Sequence, residues 1–406
     1  MFQELWSNRA TIGHHFSGKM NSISRKLGIG AQLGWLILVL IGLLIIYSLV
    51  RYYEWHHSHP SIATELDFEI INDDDKQLEA FTPQDWPDRA RSDTAGQGQQ
   101  IINYIQPGDH QCANLQAYIS AEYLIYMNQP NIQARGFDTL AELSDRYRTG
   151  VCQMIIDDEH RGTTKWIMSG LAGLQNPIWR RVAEKWLSAS YLCKAQPWLE
   201  GGMPHTHGRA ILMRPDWFRS SANSDISSSS KEELGILWHE MTHIWQRFQP
   251  MDFTSLYQEW GFKPLAETPQ GLETILLRSR LNPDALPQPS SPLWIWQPPA
   301  NSHNINTQSG NSQVYWIGAV YPTLTPESLH DIQFWAYSLA AGGTRYLGQQ
   351  SVELAKLTAF AEFFGSGRNH YHPNELAAHY MDELLTTKAN LDVPAIQIFN
   401  KWLARF

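Results

Sequence analysis

The sequence predicts an α+β, mainly helical protein: one transmembrane helix, a helical subdomain, then a C-terminal domain with a small sheet. Three observations carry this. A run of 24 uncharged residues lies between Lys26 and Arg51. Apolar residues then recur at helical spacing over 100–200. Beyond 201, short aromatic and β-branched runs alternate with longer helical ones. The 406 residues are enough for about two or three folded units, and 43% hydrophobic with 17% charged residues excludes a disordered chain or a collagen.

Residues 1–27 form a tail of charge +3, with Arg9, Lys19, Arg25 and Lys26 against Glu4. Within 28–50, Leu33 to Val50 is almost wholly apolar. At ~1.5 Å per residue a helix here crosses a ~30 Å hydrocarbon layer. The run exceeds a signal-peptide core and no A-x-A site follows, so a retained anchor is expected. From residue 51 on the charge is −12. The positive-inside rule then puts the N-terminus in the cytoplasm and the rest on the periplasmic side of a single-pass inner-membrane protein. Residues 51–99 read as an acidic linker, with seven acids and one base over 63–79. The net charge of −9 argues against a nucleic-acid partner.

Over 100–200, helices are expected from Leu115 through Met127, over Leu140–Tyr147 and over Trp179–Leu192. Cys112, Cys152 and Cys193 form no C-x-x-C pair, and all three disulfide pairings stay open. At 201 the texture changes. Gly201-Gly202 and Pro204 punctuate, and Arg209–Met213 reads as a strand. Strands are also expected over Trp294–Trp296 and Gln313–Val320, a long helical region over 328–365, and a last helix after Pro373. His205 and His207 alternate, so that both could face the cleft, with an ordinary exposed role favoured, and Trp294 and Trp296 read as either a cleft wall or core.

The chemistry sits in 239–243, His-Glu-Met-Thr-His. Two His four apart on a helix share a face and reach one metal ion, and the Glu beside the first His is placed as a general base. A helix is what the flanks predict. Ser230 and Glu233 have capping-box spacing, and Leu234, Leu237, Trp238, Met241, Trp245 and Phe248 form a buried stripe. Pro250 stops the helix. One Zn2+ per chain is expected on His239, His243 and a third ligand, with Glu240 catalytic. Glu375 is the favoured third ligand. Pro373 suits a first helical turn, and Glu375, Ala378, His379 and Asp382 share a face whose alanines admit a second helix. Glu259, Glu267, His303, His370, His372 and His379 are the other candidates; Glu267 has a spacing from His243 that suits a ligand helix, but Pro269 two residues on is poor for a ligand inside a helix. Tyr371, His379 and Tyr380 are candidate oxyanion donors.

In order, Gly208–Leu212, the 237–246 stretch Leu-Trp-His-Glu-Met-Thr-His-Ile-Trp-Gln, Asn282-Pro283-Asp284 and Tyr371-His372-Pro373-Asn374-Glu375 resemble predicted bacterial zinc metallopeptidases of the zincin fold, gluzincin type. The resemblance covers about 205–390. It implies a zincin-like metallopeptidase domain over 201–406 and a peptide or protein substrate, cell-wall peptides included. His379 stands where thermolysin-type enzymes have an Asp, and Asp382, one turn on, is the candidate carboxylate behind a ligand. With the anchor, the expected function is zinc-dependent peptide hydrolysis outside the cytoplasmic membrane. The alternative is a non-enzymatic, metal-stabilised envelope scaffold or binding protein.

Overall fold

Neighbouring residues on single strands reach different cores, and this places the layers. The computed structural model describes residues 101–223, 228–285, 293–299, 313–365, 371–386 and 389–406. All lie in one compact unit, 77–406.

The first sheet holds β1 (Asn103–Ile105), β2 (Cys152–Gln153), β3 (Tyr191–Ala195), β4 (His205–His207) and β5 (Ala210–Met213). Its order is β1-β3-β5-β4, with β2 also beside β3. β1, β3 and β5 run parallel, and β4 is the antiparallel edge. Around this sheet pack α1 (His110–Glu122), α2 (Gln129–Gln133), α3 (Leu140–Thr149), α4 (Asp157–Gly173), α5 (Pro177–Ser188), α6 (Pro215–Asn223) and α7 (Ser228–Phe248). Ala210 and Leu212 of β5 meet Leu115 of α1 and Leu143 of α3. Ile211 and Met213 meet Trp166 of α4, Trp217 of α6 and Leu237 of α7. Helices on both faces explain why β5 is apolar at every position. Lys194 in β3 is the buried exception, and its Nζ donates to both oxygens of Glu159 at 2.8 Å.

Then follow α8 (Pro250–Glu259), α9 (Glu273–Leu276) and the antiparallel second sheet. It comprises β6 (Phe262–Leu265), β7 (Leu293–Trp296), β8 (Val314–Val320), β9 (Gln333–Leu339) and β10 (Tyr346–Glu353). Tyr315, Ile317 and Ala319 of β8 join the core that holds the apolar stripe of α7. Val314, Trp316 and Val320 face a separate cluster with Tyr337 and Leu339. α10 (Thr358–Phe364), α11 (Pro373–Leu385) and α12 (Pro394–Leu403) complete the unit.

The expected fold is corrected in three respects. The small sheet is two five-stranded sheets. Segment 100–200, expected to be helical throughout, contributes β1, β2 and β3, and β3 pairs with β5 across residue 200. A strand buried on both faces lacks alternation and reads like a continuation of the preceding helix. Much of the helical region expected over 328–365 is the β9–β10 hairpin. Its signal is Gly342-Gly343, both at positive φ. A Cβ on Gly343 would lie 2.9 Å from Ile295 Cδ1.

The transmembrane expectation is also corrected. Residues 28–50 lie outside the described residues, as do the tail and the linker. Among the described residues no helix is long and apolar enough to cross a membrane. The single-pass topology and the periplasmic placement are therefore not carried forward. A bilayer and a packed interior select the same apolar side chains, so hydropathy alone did not carry that placement. Of the three cysteine pairings, Cys152–Cys193 forms, and Cys112 is buried and free.

Candidate metal centre

α7 carries the motif through the middle of the molecule. It begins at Ser228, two residues before the expected cap, and Glu233 instead pairs with Arg214 at 3.4 Å. The expected stripe is buried from Leu234 to Trp245, while Phe248 is partly buried. Pro250 ends α7 by opening α8 as its first residue.

α11 packs on α7. His372 caps it, with Nδ1 accepting from Asn374 N at 3.2 Å, and Pro373 takes the first turn. Glu375 thus lies in the first turn, where the helix dipole favours a negative charge. Asn374 pins that turn: Tyr257 OH donates to its Oδ1 at 2.9 Å, and its Nδ2 donates to Asp284 O at 3.2 Å. Ala377 and Ala378 are fully buried, as close helix contact requires.

His239, His243 and Glu375 converge, with ligand atoms all within 4.8 Å of one another. His239 Nε2 lies 3.4 Å and His243 Nε2 3.9 Å from the Glu375 carboxylate. Ligands ~2.0 Å from a tetrahedral ion lie ~3.3 Å apart, so the group is close to closed on such an ion. It could hold a metal ion. Two further details fit. His243 Nδ1–H donates to Gln246 Oε1 at 2.8 Å, which leaves Nε2 as the lone-pair nitrogen. That Nε2 is buried with no hydrogen-bond partner. Gln246 is itself held by donating from Nε2 to Asn374 O at 2.8 Å.

Glu240 is buried beside this cluster, and its Oε2 has no hydrogen-bond partner. Burial, then the charges of Asp284 and Glu375, push its carboxyl well above the usual range. Glu375 goes the other way. Burial opposes its charge, but His243 and His239 outweigh burial and hold it well below the carboxylate range. Burial lowers His243, whereas His239 is raised because Glu375 overcomes its burial. Of the three clustered side chains His239 is the one with most solvent access, 20% exposed.

The other residues singled out in the sequence separate. Asp382 lies against α7, where a Cβ on Gly235 would be 2.0 Å from its Oδ1, and its charge supports protonated His239. Tyr371 OH accepts from Asn282 Nδ2 at 2.8 Å, and that same nitrogen donates to Glu375 Oε1 at 2.5 Å. Tyr380 sits in the core and donates its hydroxyl to Phe364 O at 2.7 Å, so it offers no oxyanion donor. His379 pairs with Glu383 at 3.2 Å. Glu267 is exposed and outside the cluster. His205 and His207 are buried rather than at the surface. Trp296 is core, and partly buried Trp294 lines a cavity.

Asn282, Asp284 and Gln246 carry parts that sequence reasoning quoted but did not assign. Asp284 accepts from Thr206 N and Oγ1 at 2.8 and 2.6 Å, and shares a ligand-competent group with Glu240 and His243. Arg247 locks this segment to β4, donating to Thr206 Oγ1, Gly208 O and Pro283 O. The available signal was the Asn-Pro-Asp triplet itself, three adjacent turn-forming residues. Compared with family models, curated proteins and solved structures, the chain matches none.

Proposed function

We propose that this protein is a zinc-dependent hydrolase of peptide bonds, with His239, His243 and Glu375 as ligands of one Zn2+ and Glu240 as general base. The observation that carries the reading is Glu240 itself. A buried carboxylate with an unpartnered oxygen, adjoining a His-His-Glu cluster, is costly in a structural site and useful in a catalytic one. A non-enzymatic scaffold needs no such base. The donor set of two imidazoles and one carboxylate is one that zinc favours. The resemblance to gluzincins points the same way.

Zinc would supply Lewis acidity and make water acidic enough to ionise near neutral pH. The chain supplies the rest. Glu240 takes the proton from water at Oε2 and returns it to the leaving amine. Tyr371 keeps its proton, because burial and the Glu375 charge raise it. Since its oxygen accepts from Asn282, its hydrogen is available to a developing oxyanion. Asn282 and Gln246 hold Glu375 and His243 in place.

The test is a paired one on purified full-length chain. Glu375→Ala should lose bound zinc, and Glu267→Ala should keep it. Glu240→Gln should keep zinc and melting temperature while hydrolysis of casein or cell-wall peptides falls ~10²–10⁴-fold. Equal hydrolysis by wild type and Glu240→Gln would refute the mechanism.

A further inference from the structure

A cavity of about 290 Å³ adjoins the candidate centre, with Asn282, Tyr371 and His372 in its wall. Trp294 and Trp316 form an aromatic side. Among the described residues no Asp or Glu lines it, and Arg280 is the one Arg or Lys that does. Arg280 Nε is buried and has no hydrogen-bond partner. The guanidinium's contact is a weak one, from Nη2 to Met203 Sδ at 3.9 Å.

Among the described residues no carboxylate is free to satisfy it. Glu200 is near enough to act on Arg280 by charge. Its oxygens, however, already accept from Arg135 Nε and Nη2 and from the Tyr123 and Tyr147 hydroxyls. Arg135 and Glu200 neutralise each other, which leaves Arg280 a partly buried cation with no ion-pair partner of its own among the described residues. Arginine does not escape this by losing its proton. A partly desolvated charge without a partner is unfavourable, and an anionic ligand relieves it.

Arg280 is also well placed. It stands two residues before Asn282, whose Nδ2 touches both Tyr371 OH and Glu375 Oε1. Tyr371 is also a main electrostatic neighbour of Arg280. An anion on Arg280 therefore lies beside the group two hydrogen bonds from Glu375.

We infer that Arg280 binds a substrate carboxylate, so that the cavity selects peptides carrying one next to the cleaved bond. For the cleavage, though not for the binding, this rests on the hydrolase reading above. A planar guanidinium matches a carboxylate through paired hydrogen bonds. One cation balances one negative charge, whereas a phosphate would leave charge unmatched. Trp294 and Trp316 suit the apolar stem that carries the carboxylate. The carboxylate belongs either to an acidic side chain or to the peptide's own C-terminus, and the two sources are separable.

The test uses the full-length Glu240→Gln chain, which blocks turnover, with calorimetric titration of four probes. They are N-acetyl-Ala-Ala as acid and as amide, and the amides of N-acetyl-Ala-Glu and N-acetyl-Ala-Gln. A charge-assisted pair predicts at least ~10-fold tighter binding of a carboxylate probe than of its neutral twin. Preference within the first pair marks a terminal carboxylate, and within the second an acidic side chain. Adding Arg280→Gln should abolish the preference, and Arg280→Lys should reduce it. Zinc content and melting temperature of each variant report whether the fold survives. If Arg280→Gln does not fold, an undiminished preference in Arg280→Lys overturns the inference. So do equal binding of all four probes, no binding of any, or a preference that survives in folded Arg280→Gln. Selective binding without hydrolysis by wild type would keep the pocket and remove the peptidase. Hydrolysis without selectivity would do the reverse.

Discussion

Gln246 touches no candidate ligand oxygen, yet it decides which nitrogen of His243 is free. Its Oε1 accepts from His243 Nδ1 and its Nε2 is tied to Asn374 O on α11. Gln246→Leu removes the acceptor and leaves His243 free to adopt the wrong tautomer. Metal affinity should fall ~10–100-fold, as for other lost partners of ligating imidazoles. Gln246→Glu keeps an acceptor at that point and should lose less. Competition with a chelating dye measures both; equal affinity in all three chains would remove Gln246 from the site. At this scale the motif was readable because His239, Glu240 and His243 are local in sequence. Asn282 was not, because its contact with Glu375 spans 93 residues.

Two helices make the candidate centre, and their separation rests on a glycine. Gly235 is one turn before His239, and Asp382 fills the space its missing side chain leaves. Gly→Ala in a helix is ordinarily favourable by ~1 kcal/mol. Here the new Cβ would meet Asp382 Oδ1 at 2.0 Å and Cγ at 2.7 Å, so α7 and α11 must part. Gly235→Ala should therefore destabilise by ~1–3 kcal/mol and weaken metal binding. Gly235→Ala with Asp382→Ala should recover stability, because the clash is gone. Urea melts of the cycle check this, and additivity of the two changes would show that the contact does not matter. The elements themselves were partly legible. α7 and the Pro373 helix follow from periodicity and capping. β3, β9 and β10 did not, because burial on two faces or a tight Gly-Gly turn hides the strand period.

Across the whole molecule, one buried network ties the first sheet's layer to the segment that bears Arg280, Asn282 and Asp284. Arg135 donates to Glu200 and to Leu281 O, and it also contacts Tyr123 OH. Asn131 holds the same segment through Ser279 O and Leu281 N. Burial opposes the Glu200 charge, but Arg135 overcomes it and lowers the carboxyl from 4.5 to about 2. A folded-state value below the unfolded one means stability that is fully present above about pH 4.5 and is lost as pH falls toward about 2. Glu200→Gln should flatten the pH dependence of urea stability in that window. At neutral pH it should cost ~3–5 kcal/mol, because Arg135 is left buried and unpaired. An unchanged acid profile in the variant would place the acid-labile charge elsewhere.

What the sequence by itself determined is what short range decides. A His-Glu-x-x-His stretch with helical flanks projects both imidazoles to one side, and a proline-led helix start puts Glu375 in a first turn. These follow from 3.6-residue geometry and backbone sterics, which act over a few residues. Tertiary structure decided the rest. It brought Glu375, and not Glu267, beside the two histidines, set Asp382 against Gly235, buried Tyr380, and brought Asn282 and Asp284 to the centre and Arg280 to the adjoining cavity. It also built two sheets where one small one was expected. Each of those outcomes depends on which distant surfaces pack together. A chain position carries that information only through its fit to neighbours far away in sequence, and hydropathy period does not record that fit.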